Sequence, residues 1–194
     1  MPQSVYDNLL AGALNNYWDT NIDNPDKNYY KRVVTGAVRG VDYIASLSQW
    51  DGKTIGVTGA SQGGFLSLAV AALDKRITFL GVVHDAMCDY SAEVHGVAGG
   101  WPHYFYKNTD KSLKVKVDAS MYYDGVNFAR RINVPGWYSF GYNDEVVPPT
   151  SSYGLYTIVT APKKLSVYQQ TGHYWYQEQW DEWQNYIKEH LNVK

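Results

Sequence analysis

Thr54-Ile55-Gly56-Val57-Thr58-Gly59-Ala60-Ser61-Gln62-Gly63 runs straight into Gly64-Phe65-Leu66-Ser67-Leu68-Ala69-Val70-Ala71-Ala72-Leu73. An apolar, β-rich run meets a Gly-x-Ser-x-Gly turn and then a small, apolar stretch of helical length, so the order is strand, tight turn, buried helix. A serine at such a turn sits on a strained backbone, and the glycines on either side let neighbouring main chain approach where a Cβ would clash. Ser61 is thereby expected to project its hydroxyl into a cleft, as the nucleophile of an elbow. The five-residue pattern alone occurs by chance, and its weight comes from the strand before it and the helix after it.

The rest of the chain reads as alternating helix and strand around that turn. Val34, Ala37, Val38, Val41, Ile44 and Ala45 recur at three-and-four spacing and predict a helix from Tyr30 to Leu47. Val5, Leu9, Leu10 and Leu14 hint at a short helix earlier. After the elbow helix, Ile77-Thr78-Phe79-Leu80-Gly81-Val82-Val83 is continuously apolar, as a strand buried on both faces of a parallel sheet should be. A short helix near Ala119 to Arg131 precedes a third strand, Val134 to Gly141, whose proline falls at its start. Pro148-Pro149 opens a further helix, Lys164 to Tyr168 is the last strand, and Trp180, Trp183, Ile187 and Leu191 mark a closing amphipathic helix. This alternation predicts an α/β fold with a parallel sheet and helices on both faces, in one domain spanning 1–194.

Composition narrows the function classes. The 194 residues carry a net charge of −2 with Lys and Arg scattered, so neither nucleic acid nor an anionic membrane surface is an implied partner. The single cysteine, Cys88, excludes an internal disulfide and reads as a small buried hydrophobe. No apolar run approaches the ~20 residues of a membrane span, and the start lacks a signal-peptide pattern, so no location is assigned. Eighteen Tyr and seven Trp are the outlier. Most are expected to fill the core and its rim. Between 85 and 118, where periodicity is lost, they crowd into Trp101-Pro102-His103-Tyr104-Phe105-Tyr106 and suggest a cap-like insertion whose Trp101, His103 and Tyr104 face a sugar.

A serine hydroxyl needs an imidazole to take its proton, and the imidazole needs a carboxylate to fix its tautomer. In the α/β-hydrolase fold these partners follow in the order Ser, acid, His, on loops after later strands. His173 lies directly after the last strand, whereas His84 and His95 precede the candidate acid, His103 sits in the insertion and His190 in the terminal helix. Asp144 ends the third strand and is the expected acid. Asp85, after the preceding strand, is the alternative acid. This chemistry calls for no metal and no cofactor.

At these residues the sequence resembles the acetyl xylan esterase and cephalosporin C deacetylase family of carbohydrate esterases. The resemblance covers most of the chain: Tyr29-Tyr30-Lys31-Arg32-Val33 with its helix, the Ser61-Gln62-Gly63-Gly64 elbow, Asp124-Gly125-Val126-Asn127-Phe128-Ala129, and Gly141-Tyr142-Asn143-Asp144 followed by Pro148-Pro149. It implies Ser61 as nucleophile, Asp144 as acid, His173 as base and the Gln62 backbone N–H as an oxyanion donor. The implied substrate is a small acetylated sugar or xylan-derived oligosaccharide. Tyr174 departs from the family's usual glutamate.

The family's earlier strands and its second oxyanion donor have no counterpart upstream of the elbow, so the four strands are expected to match the fifth to eighth of the full fold. The elbow strand would then be a sheet edge, covered by another copy or by an N-terminal segment. With one oxyanion donor missing, turnover is expected to drop about 10²–10³-fold. Two other readings fit parts of the pattern: a prolyl oligopeptidase-type peptidase, against which Gln62 speaks, and a non-catalytic glycan- or partner-binding relic.

Overall fold

The computed structural model describes residues 1–106 and 113–191. Its centre is a four-stranded, wholly parallel sheet in the order β1 (Gly56–Ala60), β2 (Phe79–Val83), β3 (Gly136–Gly141), β4 (Lys163–Tyr168). Each crossover carries helix, as parallel neighbours require. The helices are α1 (Gln3–Ala11), α2 (Tyr29–Ser46), α3 (Gln62–Leu73), α4 (Leu113–Ser120), α5 (Gly125–Ala129), α6 (Pro149–Ile158) and α7 (Gln177–Leu191).

Side chains alternate across the sheet and so build two cores. Leu80, Val82 and Tyr138 point to one face, where they pack with Val41 of α2, Leu68 and Ala71 of α3, Ala129 of α5 and Leu155 of α6. Phe79, Val83 and Trp137 point to the other, against Trp183, Tyr186 and Ile187 of α7. Strands β2 and β3 are buried along their whole length, which is why they read as unbroken apolar runs. β1 is different. Among the described residues it pairs only with β2, and it is partly exposed, with Thr58 facing solvent.

The sequence reading of 119–131 as one short helix is resolved into α4, a 3₁₀ turn (Met121–Tyr123) and α5. Asp124 causes the break: its carboxylate caps α5 by accepting the Val126 N–H at 2.9 Å and also accepts the Asp89 and Tyr90 N–H groups. The predicted insertion at 85–118 lies partly outside the described residues, since 107–112 are not among them. Of the rest, Tyr90–His95 forms a 3₁₀ helix, and Tyr90 and Phe105 join Tyr30 and Phe65 in a third cluster that ties the segment to α2 and α3. No helix among the described residues is long and apolar enough to cross a membrane.

Candidate active site

Ser61 joins β1 to α3 with φ +57° and ψ −122°, a backbone region that disfavours any side chain. Main-chain bonds hold it there: its N–H donates to Val83 O at 2.9 Å, and its carbonyl accepts from Phe65 and Ala86. The two motif glycines are not equivalent. A Cβ on Gly59 would stand 2.3 Å from Gly63 O and 2.4 Å from Gly63 C, a backbone collision, whereas one on Gly63 meets nothing within 4 Å. Close approach is thus required of Gly59, and Gly63 is the surface it approaches. This corrects the expectation that glycine is needed for steric reasons on both sides.

Gln62 opens α3, so its N–H has no intrahelical acceptor and lies at the positive end of the helix. Its side chain is clamped: the amide donates to the Tyr17 hydroxyl at 2.6 Å, and Tyr30 donates to Oε1 at 3.1 Å. Nothing in the local sequence signals this clamp, because Tyr17 and Tyr30 come from the N-terminal segment.

Asp144 and His173 are brought together at the carboxyl end of the sheet. The β3–α6 and β4–α7 loops are laced by Tyr142 N–H to Tyr168 O, Asn143 N–H to Thr171 O and the Asn143 amide to Gln169 O, each at 2.9 Å. Gly141 permits this, since a Cβ there would lie 2.3 Å from Thr171 O. His173 Nδ1 then meets Asp144 Oδ2 at 2.8 Å, while Oδ1 accepts the Val146 and Val147 N–H groups at 2.9 and 2.8 Å. The Asp144 side chain is fully buried. Burial alone would raise its pKa, but the His173 bond, the nearby His84 imidazole and the Val147 N–H outweigh it and hold the group well below the usual carboxylate range. Among the described residues no hydrogen bond links Ser61 Oγ to His173, whose other nitrogen is left for a partner.

Asp85, the alternative acid, makes no hydrogen bond to His173. It is buried, Oδ2 lacks a partner among the described residues, and desolvation raises its pKa to about 6 against weaker lowering by Ser152, its own N–H, Cys88 and His84. Cys88 is fully buried as expected. In the insertion, Trp101 packs on Trp18 at 5.6 Å between ring centroids, and Tyr104 donates to Trp18 O, so both are engaged with the N-terminal segment. His103 bridges Glu93 at 2.9 Å and Val146 O at 3.2 Å, and the Glu93 hydrogen bond raises its pKa.

Sequence order passed over one further residue. His84, at the end of β2, places Nδ1 3.2 Å from Asp144 Oδ2. The facing atoms of His84, Asp144 and His173 lie within 4.8 Å of one another, the geometry in which a metal could be held; the carboxylate and His173 are already bonded to each other, and no metal is assigned.

A parallel sheet with helices on both faces, a serine on a strained strand-to-helix turn and an Asp–His pair after later strands define the α/β-hydrolase class. A model of the acetyl xylan esterase (AXE1) family matches residues 16–190. The chain belongs to that family. It is 45% identical over 150 residues to the acetyl esterase Axe7A of Xylanibacter ruminicola, covering 77% of this chain and 34% of that protein. Its fold is similar to the acetyl xylan esterase from Paenibacillus sp. R4 (TM-score 0.83, 27% identity, 90% of this chain and 57% of that one). The acetyl xylan esterase 1 from Thermoanaerobacterium sp. JW/SL YS485 shares the fold as well (TM-score 0.74, 23% identity, 85% and 54%). The chain spans about a third of the length of Axe7A and just over half of these two structures.

Proposed function

We propose that the protein is a serine esterase that removes acetyl groups from acetylated xylan or related sugars, with Ser61 as nucleophile, His173 as base and Asp144 as acid. The 2.8 Å bond from His173 Nδ1 to Asp144 Oδ2 carries the reading. An ionised carboxylate only accepts, so Nδ1 bears a proton, and the tautomer this selects has its free lone pair on Nε2, the form a general base requires. Ser61 Oγ adds to the acetyl carbonyl as its proton passes to His173 Nε2. The Gln62 N–H, at the start of α3, stabilises the developing oxyanion. Collapse breaks the ester C–O bond, His173 returns the proton to the departing sugar hydroxyl, and the acetyl group remains on Ser61. Water, deprotonated by His173, then releases acetate and regenerates the serine.

The family membership and the Axe7A similarity support acetyl transfer over peptide cleavage. The open edge of β1 supports a second element of the reading. A further strand paired on this edge brings the other oxyanion donor, and without one turnover is about 10²–10³-fold lower. Trp101, His103 and Tyr104 shape the sugar side of the cleft, Trp101 and Tyr104 through their packing on Trp18. The test is acetate release from acetylated xylo-oligosaccharides and 4-nitrophenyl acetate by this chain beside Ser61→Ala. A rate dependent on Ser61 is expected, and equal rates would refute the assignment.

A further inference from the structure

Asp144 has one more imidazole nitrogen beside it than the proposed triad uses. An ionised carboxylate offers about four lone-pair sites. Val146 N–H and Val147 N–H fill the two on Oδ1, and His173 Nδ1 takes one on Oδ2. His84 Nδ1 lies 3.2 Å from Oδ2, close to the remaining site but not aligned on it.

His84 is an expensive residue to keep in this place. It is 2% exposed, its φ is +47°, and among the described residues neither ring nitrogen has a well-aligned partner. A buried imidazole without a partner and a non-glycine residue in the left-handed region each cost stability. The backbone is pinned there by its N–H to Ser139 O at 2.9 Å, which aims the ring across the sheet end at Asp144. The ring also lies 5.2 Å from that of His173, tilted by 49°, so it limits how far the base can swing. The titratable groups around it are Asp144, His173 and the adjacent Asp85.

We propose that His84 is a positioning residue: a small rotation of its ring brings Nδ1–H onto Asp144 Oδ2 as a second donor, locking the carboxylate against rotation and sharing the oxygen that orients His173. The inference rests on Asp144 and His173 being acid and base. Because an ionised carboxylate cannot donate, the proton of His84 must sit on Nδ1. Two donors on one oxygen also compete, so His84 tempers the bond that His173 makes.

Histidine-labelled NMR of the full chain tests this. The ¹⁵N spectrum is expected to show His84 as the Nδ1–H tautomer. In His84→Phe the His173 Nδ1–H resonance moves downfield, since Oδ2 loses the competing donor, and kcat falls about tenfold with KM within about twofold. His84→Asn, whose amide replaces the Nδ1–H donor, restores both. An Nε2–H tautomer at His84, or an unmoved His173 resonance in His84→Phe, would overturn the proposal; should His84→Phe fail to fold, the wild-type tautomer decides. The spectra need no turnover. Absent acetate release with the expected spectra sinks the esterase reading alone, and Ser61-dependent release with an unmoved resonance sinks only the role of His84.

Discussion

Asp85→Asn should change how the stability of this protein depends on pH. Asp85 is fully buried, with one carboxylate oxygen lacking a partner among the described residues, and burial raises its pKa to about 6 from an ordinary 3.8. Well below pH 3.8 the carboxyl is protonated in both folded and unfolded chains and contributes no slope. Between about 4 and 6 the folded protein keeps a proton that the unfolded chain has released, so folding loses stability as pH rises. The gap of about two units, at ~1.4 kcal/mol each, amounts to about 3 kcal/mol by pH 7. Asparagine cannot titrate and lacks this loss. Asp144 acts with the opposite sign: its depressed pKa contributes stability above the ordinary carboxylate range that disappears on acidification. That term is common to wild type and variant and cancels in their difference. Urea unfolding followed by circular dichroism at pH 4, 5, 6 and 7 should show the variant gaining about 2 kcal/mol or slightly more on the wild type from pH 4 to 7. Parallel pH curves for the two proteins would refute the reasoning.

Gly59→Ala places a Cβ 2.3 Å from a backbone oxygen that cannot move aside, so a loss of about 3 kcal/mol or more is expected; Gly63→Ala, in open space, should cost under about 1 kcal/mol in the same denaturation assay. Asp144→Asn should lower the turnover of aryl acetates about 10³–10⁴-fold through loss of the His173 tautomer, while Asp85→Asn stays within about threefold; the reverse ranking would reassign the acid. Tyr17→Phe removes the acceptor of the Gln62 amide and should cost about 1 kcal/mol in thermal unfolding, with Gln62→Ala costing more because it leaves both tyrosines unpaired.

The elbow and the sheet were legible because their physics is local. A strand buried on both faces must be continuously apolar, as Phe79 to Val83 is, and a serine wedged between strand and helix needs glycine beside it. The pairing of Asp144 with His173 at 2.8 Å is legible from order alone, since each follows a strand of the same parallel sheet. What stayed hidden depends on chain segments distant in sequence. Tyr17 and Tyr30 reach Gln62 across 45 and 32 positions, with no periodicity to announce it. His84 precedes Asp144 in the chain, so chain order gives it no part in the site, yet β2 and β3 are neighbours in register, and their ends deliver His84 and Asp144 to one point. The split of α4 from α5 turns on Asp124, whose capping role is invisible until Asp89 and Tyr90 arrive beside it.

The central claim is that Ser61 is activated by His173 and Asp144. A fluorophosphonate probe followed by peptide mass mapping tests it most directly, because phosphonylation requires an activated serine and no particular substrate. The account predicts one adduct, on Ser61, lost in Ser61→Ala and strongly slowed in His173→Ala. An unlabelled protein, or labelling at Ser61 that persists unchanged in His173→Ala, would contradict it.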